Sequence, residues 1–95
     1  MKYETLGLVT RAQALHALGR TREAIADARR SVEIARATID PALLLTALDT
    51  MLRIEGNDES AAEARSVSDR ILIALPDETM RKRFMEAEVV QRVRG

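Results

Sequence analysis

Residues 8–40, LVTRAQALHALGRTREAIADARRSVEIARATID, and residues 45–77, LTALDTMLRIEGNDESAAEARSVSDRILIALPD, decide the fold, because the second run echoes the first at an interval of 37 residues. Leu8 falls on Leu45, Leu15 on Leu52, Gly19 on Gly56 and Ala24 on Ala61. Ser31 then falls on Ser68, Ile34 on Ile71, Ala37 on Ala74 and Asp40 on Asp77. The matched residues are apolar, small or helix-capping types, the ones that set helix ends and helix packing. A two-helix unit repeated in tandem leaves an apolar face that only its neighbour covers, and stacks of this kind mostly serve as binding surfaces.

Working outward, helix-stop and helix-start residues divide the chain into five expected helices. Helix 1 is expected over 3–18, with Leu8, Ala12, Leu15 and Leu18 as its apolar stripe. Gly19 tolerates the left-handed conformation that closes a helix, and Thr21 is a candidate cap for the next. Helix 2 is expected over 22–38, with Ala24, Ile25, Ala28, Val32 and Ala35 inward, and Asp27, Arg30, Glu33 and Arg36 as an i,i+3 charge ladder outward. Asp40-Pro41 is the clearest punctuation, a favoured N-cap followed by proline at the first helical position. Helix 3 then covers 41–54, Gly56-Asn57-Asp58 turns the chain, and helix 4 covers 59–75. Pro76-Asp77 breaks it, and one continuous helix 5 is expected over 77–93, capping the stack with a face rich in Arg, Lys and Glu. Short connections make neighbouring helices antiparallel. The expected fold is all-α: two helical hairpins side by side with a lid, one domain over residues 1–95.

Composition excludes several classes of function. Lys plus Arg and Asp plus Glu are equal at 15 each, so no net field steers the chain onto a polyanion or an anionic membrane. There is no cysteine, hence no disulfide and no thiolate metal site. No apolar run approaches the ~18–20 residues of a membrane span, and the start carries no signal-peptide pattern. A soluble protein of the cytoplasm is expected. Tyr3 and Phe84 are the only aromatic residues, so alanine and the aliphatics fill the core of closely approaching helices.

The run Ala12 to Ala28, AQALHALGRTREAIADA, resembles the turn region of a tetratricopeptide repeat. Gly19, Glu23, Ala24 and Ile25 match that family's pattern. In the second unit Gly56 and Ala61 match, whereas Asp49 and Arg65 stand where small or apolar residues are usual. The period exceeds the family's common ~34 residues, and the excess is placed near Ala37-Thr38-Ile39. The tail, ALPDETMRKRFMEAEVVQRVR, is similar to the ends of repeat domains in large bacterial signalling ATPases and transcription regulators. The resemblance implies a short α-solenoid whose first helices line a concave groove for a peptide or helix. The groove residues it implies are Leu6, Val9, Gln13, His16 and Ala17 on helix 1, and Leu43, Thr46, Thr50, Arg53 and Ile54 on helix 3. The family's Lys and Asn carboxylate clamp is not supported, because Val9, Gln13 and Ala17 stand at the matching positions.

Catalytic chemistry finds few residues to work with. His16 is the only histidine and reads as an exposed helix residue; alone and without cysteine it does not anchor a zinc site. Ser31 and Ser68 recur at the repeat period, which points to close helix packing. There is no Gly-rich phosphate loop. Asp40 and Asp77 read as caps, and Asp58 and Glu59 as helix-start residues. Asp49 points into the seam between helices, where a buried carboxylate requires a partner such as arginine. The basic cluster Arg81-Lys82-Arg83 with Arg92 and Arg94 is interleaved with Glu78, Glu86 and Glu88 and lacks stacking aromatics, so it reads as a solvated face and no nucleic acid partner is expected. The sequence therefore points to a non-catalytic protein-interaction module that needs no cofactor or metal. The alternative is a self-associating structural segment of a larger protein, pairing through Leu6 or Leu43.

Overall fold

Turn and cap residues set the element boundaries close to the expected places. The structure, a computed structural model, describes residues 2–94 and is all-α. Its helices are α1 (Lys2–Ala17), α2 (Thr21–Arg36), α3 (Pro41–Ile54), α4 (Asp58–Ala74), α5 (Glu78–Glu86) and α6 (Glu88–Arg94). Gly19 adopts φ +78° and closes α1: its N–H donates to the His16 carbonyl and the Arg20 N–H to the Leu15 carbonyl. That paired pattern satisfies carbonyls the helix end would otherwise leave open. Asp40 caps α3, its Oδ1 accepting from the amides of Ala42 (3.1 Å) and Leu43 (3.2 Å). Asp77 accepts from the Met80 amide at 2.8 Å and opens α5. One expected detail differs. Thr21 is the first helical residue of α2 rather than its cap; Arg20 holds the cap position without a side-chain cap bond and forks onto Glu23 instead. Asp58 and Glu59 stand in the first turn of α4 as expected, and Asn57 before them is the cap, accepting from the Ser60 amide at 2.8 Å.

Each of the first three helices packs on the next, and α1 also lies against α3, in a body of 41 × 27 × 20 Å. α3 is buried on nearly every side: Leu43, Leu44, Leu45, Ala47, Leu48, Asp49, Thr50 and Met51 are all buried. A helix apolar all round belongs in the middle, and α3 touches α1, α2, α4 and α6. On α2 the inward stripe is Ala24, Ala28, Ser31, Val32 and Ala35, four of them alanine or serine, which lets α1 and α3 approach closely. Ser31 and Ser68 are both fully buried and donate to carbonyls three residues back, Ala28 (2.6 Å) and Arg65 (2.9 Å). The hydroxyls are thereby satisfied inside tight helix contacts. The charge ladder on α2 closes only at Arg30–Glu33 (3.7 Å); Asp27 pairs instead with Arg11 of α1, and Arg36 with Glu63 of α4.

On α1 the inward face is Thr5, Val9, Ala12 and Leu15, one position round from the expected stripe. Leu8 is half-buried and Leu18 is 73% exposed in the turn. α1 carries apolar residues on all sides, so its periodicity gives no direction; the two neighbours it packs on decide which face goes in.

The expected continuous helix 5 is broken at Ala87, which takes extended angles (φ −62°, ψ 138°). The cause is the spacing of its apolar residues. At about 100° per residue, Phe84 and Val93 would stand roughly 180° apart on one straight helix. Breaking at Ala87 lets Phe84 pack on the core from α5 while Val90 (2% exposed) and Val93 (4%) enter it from α6. The lid against α3 and α4 is therefore α6; α5 buries none of its residues fully.

Asp49 meets the requirement its position imposes. It is 4% exposed, and both oxygens are taken by one guanidinium: Arg92 Nε donates to Oδ1 at 3.0 Å and Nη2 to Oδ2 at 2.8 Å. This fork leaves no face of Asp49 to a ligand and ties α6 to α3. It also holds the Arg92 guanidinium above its ordinary pKa, chiefly through the hydrogen bond to Asp49. Arg94 ties the same helix to α4 through Ser68 Oγ (3.0 Å) and Asp69. A seven-residue helix is far below the ~12–15 residues at which isolated helices become even marginal. Its order rests on two valines and two arginines.

The two repeat-related glycines differ in backbone. A Cβ at Gly19 meets open space but demands a left-handed residue, whereas one at Gly56 makes only ordinary contact with the Leu52 carbonyl (3.5 Å) at an unstrained φ. Gly19→Ala is expected to destabilise by about 1 kcal/mol, and Gly56→Ala to be neutral or slightly stabilising, measured as urea unfolding midpoints by circular dichroism. Equal losses at both sites would contradict the assigned turn conformations.

Candidate functional site

The geometry of the groove follows from α1 and α3 lying side by side. α2 runs the chain back between them, so α1 and α3 run parallel and end together. Their last turns bring Gln13, His16 and Ala17 of α1 beside Thr50, Arg53 and Ile54 of α3, around one recess of about 190 Å³. Six of the ten expected groove residues are thus gathered in one place. Gln13, His16, Ala17 and Arg53 are exposed and Ile54 is half-buried. Thr50 is 1% exposed and donates to the Thr46 carbonyl at 3.1 Å, so it supplies wall rather than a free hydroxyl.

The other four do not extend this recess. Val9 and Leu43 are each 5% exposed and belong to the core, because α1 packs on α3 along this seam. Burial of Leu43 also removes one of the two residues proposed for self-pairing. Leu6 remains 37% exposed near the start of α1, and Thr46 is half-buried, its hydroxyl donating to the Ala42 carbonyl.

The recess has a definite chemical character. Ala17 and Ile54 give an apolar wall, and Gln13 gives an amide that both donates and accepts. Arg53 makes no ion pair among the described residues and stands ready to donate. The arrangement suits an apolar side chain with a polar neighbour. Among the described residues no group of three or more His, Cys, Asp or Glu is placed to hold a metal ion.

The basic cluster is divided in the fold: Arg92 and Arg94 are engaged by Asp49 and Asp69, and Arg81 Nε donates to the Leu75 carbonyl at 3.2 Å. A larger cleft of about 450 Å³ opens where the ends of α2, α3 and α4 meet. Its walls come from two distant stretches of chain, 35–44 and 70–75, so no local pattern announces it. Ile39 on its rim is fully exposed.

Beside that cleft, Arg36 and Glu63 join α2 to α4 by two bonds, Nε to Oε2 at 2.9 Å and Nη2 to Oε1. The Arg36 hydrogen bond holds the Glu63 carboxyl below its ordinary range, against the opposing effect of burial. The same bond raises Arg36.

No protein-family model, no curated protein and no solved structure matches the chain.

Because the folded pKa of Glu63 is depressed, its contribution to stability is present above the unfolded value near 4.5 and is lost as pH falls through the folded value. Glu63→Gln is expected to cost at most about 1 kcal/mol at neutral pH, since the pair is solvent-exposed. It should also flatten the acid limb of stability against pH. A variant whose acid limb is unchanged would show that this pair does not link α2 to α4.

Proposed function

We propose that the chain is a non-catalytic protein-interaction module of tetratricopeptide type, holding a peptide or a helix in the recess between α1 and α3. The observation that carries this reading is the gathering of Gln13, His16, Ala17, Thr50, Arg53 and Ile54 around one recess at the parallel ends of two helices. The side-by-side contact of α1 with α3 is the arrangement that such repeats use to build a concave face. The mechanism is preorganisation. Helices already packed into a rigid core lose little freedom on binding, so an apolar anchor against Ala17 and Ile54 is retained as net affinity. Gln13 and Arg53 set orientation by donating to carbonyls or to a carboxylate of the bound segment. The same reading takes the chain as a cytoplasmic piece of a bacterial regulator, on the likeness of its tail to such repeat domains.

A random-peptide display selection on the full chain supplies the test. Selected peptides are expected to weaken by about tenfold or more with Ala17→Glu and with Arg53→Glu. Both side chains are exposed, so the fold is retained, and circular dichroism checks that. Peptides indifferent to both substitutions, or the absence of any selected binder, would overturn the proposal.

A further inference from the structure

We propose that the cleft at the meeting ends of α2, α3 and α4 binds a small amphiphilic carboxylate, an aliphatic chain with one anionic head. Its volume of about 450 Å³ lies within the ~300–1,000 Å³ range of ligand clefts. The floor is aliphatic: Ala35, Leu44, Ile71, Ala74 and Leu75. The polar groups along the connection are already spent. Thr38 Oγ1 donates to the Ala35 carbonyl (2.7 Å), and Asp40 Oδ1 takes the two capping amides. Neither Thr38 Oγ1–H nor Asp40 Oδ1 is free to bond an entering chain, so the aliphatic floor makes the main contact.

Charge selects the head group. Two arginines stand on the rim, Arg36 and Arg70. Arg36 is occupied by Glu63. Arg70 makes no hydrogen bond or ion pair among the described residues; its charge acts on Glu63 only through space, so its guanidinium fork remains open to a bond beside an apolar floor. A planar carboxylate matches that fork. The shape selects a small molecule. Residues 38–41 line one side and the end of α4 the other, so the cleft lies at helix ends and does not run along a helix. Ile39, fully exposed on the rim, is placed to fold over an aliphatic chain.

The probe is decanoate, titrated into the full chain and followed by methyl NMR, with decanol as the uncharged counterpart. Saturable shifts are expected at Ile39, Leu44, Ile71 and Leu75. Decanol should bind about tenfold more weakly, and Arg70→Gln should weaken decanoate by about the same factor, the scale of one charge-assisted bond. Decanol binding should be unaffected by that substitution. Shifts spread equally to the exposed Leu6 and Leu18 would overturn the proposal, as would decanoate affinity indifferent to Arg70→Gln. So would shifts of the cleft methyls on concentrating the protein alone, which would assign the cleft to a second copy.

Discussion

A carboxylate enclosed in the central helix governs the construction of the molecule. α3 touches four other helices, and Asp49 lies on its buried surface with 4% exposure. An unpaired carboxylate there would cost several kcal/mol, on the scale of breaking a buried ion pair. The chain answers with Arg92, forty-three positions later, whose fork takes both oxygens. The Arg92 side chain remains 40% exposed, so only one member of the pair is fully desolvated. That asymmetry keeps the pair affordable, and it fixes where α6 must lie.

Placement of α6 has consequences for both recesses. With α3 flanked by α1 and α2 on one side and by α4 and α6 on the other, its surface is almost used up. What remains open is its C-terminal turn, where Arg53 and Ile54 emerge beside Gln13 and Ala17, and its N-terminal end, where Leu44 looks into the larger cleft. The two recesses therefore sit at opposite ends of the same helix. Neither is an independent pocket; each is an end of the core where packing stops.

Local signals were legible, and long-range ones were not. Asp40-Pro41, Gly19 and Asp77 act through bonds within a few residues, and their roles can be read from residue type. Ser31 and Ser68 were readable as packing residues because the repeat places them alike. The need of Asp49 for an arginine was also legible from its place in the seam, but the identity of the partner was not, since α6 reaches it only after two helix ends and a break. On α1, Ala12 and Leu15 were legible as inward residues, but Thr5 and Val9 take the places expected for Leu8 and Leu18, because apolar residues on every side of the helix leave its periodicity without direction. The continuous helix over 77–93 failed for a geometric reason visible only with the core in place: Phe84 and Val93 would point to opposite sides. In the groove, Val9 and Leu43 went into the core because the α1–α3 seam is tighter than a lined channel allows.

The most direct measurement is a double-mutant cycle on Asp49→Asn and Arg92→Gln, read by urea unfolding of the full chain. A fork that satisfies a buried carboxylate predicts a coupling of about 1–3 kcal/mol, with the double variant less destabilised than the two single losses added. Losses that simply add, within ~0.5 kcal/mol, would mean that α6 is not held to α3 by this pair, and the architecture built on it would be wrong.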